Sequence, residues 1–419
     1  MDLNFNHNLK KAVRQQCKGN DDAALRRFKT AERRKPNHPI VNMGLGTTYM
    51  NKGMYGHAER CFRAVTAKTE KLPEPYINLC YVLKKMGYQE QGLTYAQMGL
   101  DIHPDNVLLL VNAGSAAYTC GHMEVAEQYL KKAIALDPEN IDAHWDLGLV
   151  FLRQGRFQEG WEHYDWGFRS RERIPRPYWD EFPEWLGDCH PRLEKIFRRS
   201  FPEVTVIPAR KDRETSWTKF HEIDYQVPIG SLGGFFRNKI TDFPDKGYIR
   251  TTQSRVEEYK KEIGGKLRVG LSWRGGAPAN GAYHRAHTVS DFTDFLTGNG
   301  AQFVCLQYGD VGEELQDVRT NYGVEVYHNP AALEDYDETL HLAASCDLVI
   351  STITAIVYTA GSIDVPTWVL VPKYPNWKFI PGEKMPWHPS IKQYHQSQWF
   401  VWDDVYQKVG ADLRDFING

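Results

Sequence analysis

The chain has 419 residues, of which 42 % are apolar and 25 % charged, and its formal net charge is −2. That length accommodates two or three domains of ordinary globular composition, and the small charge gives no global field to draw nucleic acid or an anionic membrane. The seven cysteines are scattered without CxxC or Cys/His spacing, so reduced thiols are expected rather than a disulfide framework or a metal site.

Residues 1–7 lack the basic start and apolar run of a signal peptide, and no stretch reaches the length of a membrane span, so a cytoplasmic protein is expected. Gly53, Gly87, Gly121 and Gly155 then recur at intervals of 34 residues. Pro36, Pro104 and Pro138 keep the same period, with Pro73 in place of a proline at position 70. Leu45, Leu79, Ala113 and Leu147 form one recurring set, and Ala24, Ala58, Gly92, Ala126 and Gly160 a second. Phe28, Phe62, Ala96, Leu130 and Tyr164 form a third. Small residues mark where two helices touch, large ones where a gap is filled, and Gly or Pro where the chain turns. The pattern resembles the tetratricopeptide repeat, in about five copies with the first and last degenerate. It assigns residues 1–170 to an α solenoid. Such repeats stack around a concave face, which predicts a groove for a peptide or partner protein. The alternative is a scaffold that carries and dimerises the C-terminal part of the chain, so a homo-oligomer stays open. No ladder of Lys, Arg and Asn at one repeat position singles out a ligand.

Residues 171–265 are a short middle segment. Trp185-Leu186-Gly187 reads as part of a turn, 190–200 as an amphipathic helix and 204–207 as a strand. Residues 209–225 are highly polar, 227–236 a loop leading into a short helix, 248–250 extended, and 256–263 a charged helix. About 95 residues fall short of the roughly 100–150 that a complete nucleotide-fold half takes. The expectation is a reduced segment of two or three βα units.

Residues 266–419 alternate strands and helices at the spacing of a parallel, doubly wound sheet. Strands are expected over 267–273, 303–308, 324–327, 348–350 and 367–371. Arg274-Gly275-Gly276 comes directly after the first of these. Its glycines permit close backbone approach to a ligand and its Arg suits phosphate oxygens, or it is a solvated βα loop. His284, Arg285 and His287 come next, before a helix near Ser290. Tyr308, at a strand end, is placed to stack on a base or simply to pack. The key stretch runs through Asp347-Leu348-Val349-Ile350 into the hydroxyl cluster Ser351-Thr352-Ile353-Thr354 and a small-residue helix from Ala355 to Ile363. Free amides and hydroxyls at such a helix start make an anion site, and this one falls at the carboxyl end of a strand. It is a pyrophosphate cradle or an ordinary capped core helix. The aromatic run from Tyr374 to Tyr394 reads as a loop walling a cleft or as a structural return.

Together the repeats, Gly-Leu-Ser-Trp-Arg-Gly-Gly, Leu-Gln-Tyr-Gly-Asp, Asp-Leu-Val-Ile-Ser, Ala-Gly-Ser-Ile-Asp-Val-Pro-Thr-Trp and Pro-Trp-His-Pro-Ser resemble bacterial repeat-containing glycosyltransferases of the GT-B architecture. These stand near the heptosyltransferase-like and peptide O-linked N-acetylglucosamine transferase-like enzymes. The resemblance implies a Rossmann-like C-terminal half that binds a nucleotide-sugar donor, with no metal or cofactor, and a protein or glycan acceptor brought by the repeats. It maps donor contacts onto Arg274, Gly275, Gly276, Arg285, Gln307, Tyr308, Ser351, Thr352, Thr354 and Gly361. Two departures stand out. Ile353 and Tyr358 replace an acidic or polar residue and a His of many relatives. The strand and Gly-rich loop that should come after Trp185-Leu186-Gly187 are missing, because Asp188-Cys189 runs straight into His190-Pro191-Arg192. No catalytic base is assigned; His284, His287 and His388 are candidates or packing residues. The competing expectation is a degenerate relative that binds a nucleotide or a partner without transferring sugar.

Overall fold

The computed structural model describes residues 3–69, 71–169, 188–189, 191–208, 232–265, 267–275, 287–298, 300–380, 382 and 384–418. Trp185-Leu186-Gly187, the polar stretch 209–225, Gly276, His284 and Arg285 therefore lie outside the described residues. The chain forms two compact units, one of residues 1–154 with 159–175 and one of 155–158 with 176–419.

The helical unit is built from consecutive helix pairs. They are α1 Leu3–Cys17 with α2 Asp21–Arg34, α3 Pro39–Asn51 with α4 Tyr55–Thr66, and α5 Glu74–Met86 with α6 Gln89–Ile102. Then come α7 Val107–Cys120 with α8 Met123–Leu136, and α9 Ile141–Arg153 with α10 Phe157–Tyr164. The turn within every pair holds a glycine in the left-handed region: Gly53, Gly87, Gly121 and Gly155, at φ of 71°, 84°, 84° and 75°. Gly19, at φ 70°, is a fifth member, 34 residues before Gly53. In the turns after α5 and α7, the amides of Gly87 and Gly121 bond back to the last carbonyls of their helices, as left-handed C-terminal caps do. Asn20, Asn106 and Asn140 cap α2, α7 and α9 by accepting a backbone N–H through their side chains.

Inside each pair the volumes are matched. A Cβ at Gly46 would lie 2.5 Å from the Phe62 ring, one at Gly114 2.5 Å from Leu130, and one at Gly148 2.6 Å from the Tyr164 backbone nitrogen. In the third pair the assignment is reversed. Cys80 holds the glycine position and Ala96 the position of the large residue, and both are buried. Total volume is what close packing constrains, so the larger residue can sit on either helix.

At the end of this unit His144 Nε2 lies 3.0 Å from the Pro138 carbonyl oxygen, so that nitrogen carries the proton. Its Nδ1 then accepts from His163 Nδ1 at 2.8 Å, and the Trp166 ring stacks on His144 with centroids 3.7 Å apart. Burial, and then the neighbouring His144, push the His163 pKa down to about 4.

In the second unit, β1 Asp188–Cys189 and β2 Ile207–Pro208 form a small parallel pair. The strand expected over 204–207 thus starts only at Ile207, and Val204 is exposed. Helices α11 Glu194–Ser200, α12 Leu232–Phe236 and α13 Gln253–Ile263 come next. The 248–250 stretch joins no sheet; Tyr248 and Ile249 both donate their backbone N–H to the Ser362 carbonyl at 2.9 Å.

The main sheet contains β3 Arg268–Ser272, β4 Gln302–Cys305, β5 Val326–Tyr327, β6 Leu348–Thr352, β7 Thr367–Val371, β8 Lys384–Met385 and β9 His388–His395. Its order is β5-β4-β3-β6-β7-β9-β8, with every pair parallel except β8 with β9. Numbering only the parallel strands along the chain gives 3-2-1-4-5-6, the doubly wound order. Successive side chains serve opposite faces. Leu348 and Ile350 join Val269, Leu271, Trp273, Phe292 and Val409 on one side. Val349 joins Val304, Leu306, Leu342, Ile356 and Ala360 on the other. Helices α14 Thr293–Leu296, α15 Gly312–Tyr322, α16 Pro330–Glu334, α17 Tyr336–Ala344, α18 Ala355–Ser362 and α19 Asp403–Asn418 complete the unit. Arg268 fastens the starts of β3 and β6. Its backbone N–H and Nη2 donate to the Asp347 carboxylate at 2.8 and 2.9 Å, and its Nε donates to the Ser345 carbonyl at 2.7 Å.

One expectation is corrected here. The aromatic run after Val371 is not simply a loop, because residues 384–395 supply β8 and β9 and add a sixth parallel strand. Phe379, Met385 and Ile391 bury against Val369 and Val371.

In the helical unit, Gly148→Ala meets backbone that cannot give way and costs ~3 kcal/mol, whereas Gly53→Ala, strained only in φ, costs about 1–2 kcal/mol; urea denaturation ranks them. Because His163 titrates lower in the folded chain than in the unfolded one, its contribution is complete above pH ~6.5 and is lost as pH falls toward 4. The urea midpoint of this unit should therefore drop between pH 7 and 5, and His163→Phe should flatten that drop.

Candidate functional site

In a doubly wound sheet the natural binding place is the crevice at the carboxyl ends of the strands where the order reverses. Here that is between β3 and β6. Ser272 closes β3 opposite Ser351 of β6, and the chain leaves through Trp273, Arg274 and Gly275 on one side and Ile353 and Thr354 on the other.

Gln307 sets the local geometry. It is 1 % exposed, and its carbonyl oxygen accepts the backbone N–H of Trp273 at 3.0 Å and of Arg274 at 2.9 Å. The Ser272 hydroxyl adds a longer contact at 3.3 Å, and the Gln307 amide donates to the Tyr308 carbonyl at 3.1 Å. Both ends of this side chain are committed to its own chain. Tyr308 is 55 % exposed and faces solvent.

Arg274 pairs with Glu314 of α15, and its Nη2 donates to the Asp310 carbonyl at 3.0 Å. The other Glu314 oxygen accepts from Trp273 Nε1 at 2.7 Å. The guanidinium charge expected to face a phosphate is thus balanced inside the protein.

The start of α18 is partly filled from within. Thr354 Oγ1 accepts the Ile356 N–H at 3.2 Å and lies 3.1 Å from Ser351 Oγ. Ser351 Oγ also donates to the Thr352 carbonyl at 2.7 Å. A Cβ at Gly275 would come 2.7 Å from the Thr354 methyl, so the turn after β3 rests directly on this cap. Thr352 is fully buried, and its hydroxyl has no hydrogen-bond partner among the described residues. Gly361 lies beyond the turn. A Cβ there would sit 2.8 Å from His388 and Ile391, so this glycine lets α18 pack closely on β9 and does not face the turn.

One feature of the turn remains open. Ala355 is exposed, Tyr358 one turn later is half-buried, and the Lys378 ammonium lies 5.2 Å from the Tyr358 ring centroid. Lys378 reaches solvent, yet burial of its surroundings lowers its pKa, as in a recess. No carboxylate lies within ion-pair distance of it among the described residues. The sequence signal was a lone basic residue between Trp377 and Phe379, indistinguishable there from a solvated loop lysine.

Of the candidate bases, the two among the described residues, His287 and His388, are buried. His287 Nδ1 lies 2.6 Å from the Tyr406 hydroxyl, and His388 packs between Tyr248 and Tyr358. Burial lowers both pKa values to about 4. Among the described residues no group of His, Cys, Asp and Glu is arranged to hold a metal ion, and no helix is long and apolar enough to cross a membrane.

Residues 114–155 match the TPR repeat family model. With the helix pairs and their 34-residue glycine register, this decides the first unit. It is a tetratricopeptide-like solenoid. The chain is 24 % identical to Protein FlbA of Caulobacter vibrioides over 97 % of this chain and 83 % of that protein, so the likeness runs through both units. It is 28 % identical to the TPR repeat-containing protein MJ1428 of Methanocaldococcus jannaschii, over 51 % of this chain and 41 % of that one. Among solved structures, MamA of Desulfovibrio magneticus RS-1 aligns with 39 % of this chain and 93 % of its own at 23 % identity, with a TM-score of 0.37.

Gln307→Leu preserves size but leaves the amides of Trp273 and Arg274 without their acceptor. It should cost ~3 kcal/mol in urea denaturation, whereas Tyr308→Ala, on an exposed ring, should change little.

Proposed function

We propose that the chain is an interaction scaffold whose repeat solenoid takes an extended segment of a protein partner, with the α/β unit as a companion fold. The observation that carries this reading is the self-satisfied switch point. Arg274 is neutralised by Glu314, the Gln307 carboxamide holds its own backbone, and Gly275 lies on the Thr354 cap. A phosphate site of the expected kind needs these groups free.

Sugar transfer from a nucleotide-sugar donor is the second reading, and one observation favours it. Ala355 at the start of α18 is exposed, and Lys378, a cation without a carboxylate partner among the described residues, stands over the Tyr358 ring one turn later, next to a sheet of doubly wound order. Under this reading the diphosphate meets the Ala355 end of the helix, and Lys378 supplies the charge that Arg274 does not. The donor is a substrate, and neither a metal nor a cofactor is invoked.

Thermal shift and calorimetry with uridine, guanosine, cytidine and thymidine diphosphates separate the two readings, because a ligand of the native state raises its stability. The scaffold reading expects no shift with any of them. A shift that disappears in Lys378→Ala but persists in Arg274→Ala would replace it with the second.

A further inference from the structure

In the α/β unit, residues 232–250 turn a set of apolar side chains toward solvent. Phe235 and Phe236 close α12 and are 64 % and 57 % exposed. Ile240, which opens the short helical turn Ile240–Asp242, is 58 % exposed. Large apolar side chains concentrated this way mark a surface that something covers.

The backbone of the stretch is pinned, so the exposure is built in. Arg237 Nη1 donates to the Phe236 carbonyl at 2.7 Å, and its guanidinium lies 5.9 Å from the Phe243 ring. Phe243 in turn meets Trp387 edge-on, with centroids 4.6 Å apart. Asp242 accepts the backbone N–H groups of Asn238 and Lys239 at 3.0 and 2.8 Å. The charge of the stretch is one-sided. Arg237, Lys239, Lys246 and Arg250 stand against Asp242 and Asp245, and Asp242 is turned onto backbone amides. Lys239, Lys246 and Arg250 are exposed, and no carboxylate among the described residues lies within ion-pair distance of them.

We propose that this surface docks on the face of an anionic lipid bilayer. Phe235, Phe236 and Ile240 enter the acyl boundary, and Lys239, Lys246 and Arg250 meet the headgroup phosphates. Phe and Ile read no pattern of donors and acceptors, and the long stems of Lys and Arg let their charges stay at headgroup level while apolar neighbours go deeper. A single-stranded nucleic acid needs rings to stack between or upon. The Phe235 and Phe236 rings are tilted 50° to one another with centroids 6.4 Å apart, which leaves no slot for a base. A second copy of the chain, paired through the same patch, would set these cations against themselves. The chain carries a net charge of −2, so the attraction is local and acts within about 10 Å of the surface. The docking is peripheral, and no helix among the described residues has to cross the bilayer. The inference goes beyond both readings of the function and depends on neither.

The test sediments the full chain with sucrose-loaded vesicles of phosphatidylcholine alone or of equal parts phosphatidylcholine and phosphatidylglycerol. Retention on the anionic vesicles about tenfold above that on the neutral ones is expected, falling as salt rises. Phe235→Ser combined with Phe236→Ser should lower that retention about tenfold or more. Lys239→Glu combined with Lys246→Glu should remove the preference for phosphatidylglycerol. All four side chains are exposed, so both variants should melt as the parent does, which circular dichroism checks. Phe400→Ser, at a ring 55 % exposed elsewhere in the α/β unit, is the control for non-specific adhesion and should keep the retention. Absent retention, equal retention on both kinds of vesicle, retention that either double variant leaves unchanged, or a loss as large with Phe400→Ser overturns the inference. So does a concentration-dependent dimer, or a complex with single-stranded RNA, that the double phenylalanine variant dissolves while vesicles are not bound.

Discussion

One buried carboxamide organises the α/β unit at its most sensitive place. The Gln307 oxygen accepts two consecutive backbone amides at the end of β3, where a strand has run out of neighbours and its N–H groups need a partner. In a fold that binds ligands at the strand ends, those amides are ones a ligand could use. Here the protein satisfies them itself. The same turn brings Arg274 to Glu314 and lays Gly275 against Thr354. These are consequences of one backbone path, so the crevice is closed by a connected set of contacts.

The solenoid obeys a different constraint. Its helix pairs tolerate exchange of large and small residues between facing positions as long as their sum fits. The turn between the helices of a pair does not tolerate exchange: each of the five carries a glycine at positive φ. That is why the glycines give the clearest period in the sequence. The third pair, with Cys80, Gly92 and Ala96 where its neighbours carry other sizes, is also where a recess with unmatched polar groups remains.

The fold was largely legible in the sequence, and the site was not. The repeat period and five of the six parallel strands, β3 to β7, emerge from periodicity and β-branched runs. β9 did not read as a strand because its alternation is interrupted by Pro389 and crowded by rings, and it becomes one only by pairing with β7. Ser351 and Thr352 extend β6 two residues beyond the expected strand end, and Thr354 caps α18 where the turn was expected. Residue type alone did not reveal that Arg274 has an acid for a partner, because Glu314 lies 40 positions away. Gly361 shows the same limit: glycine in a helix signals close approach, but not to which neighbour.

On its own the chain determined local and periodic features: which segments are helices or strands, where turns require glycine, and which faces are apolar. These depend on neighbours a few residues apart, or on a repeat that copies itself. Tertiary structure decided where each polar group finds its partner. Whether a side chain such as Arg274 or Lys378 is neutralised depends on distances of a few ångströms between residues far apart in sequence, and those distances exist only once the chain has folded.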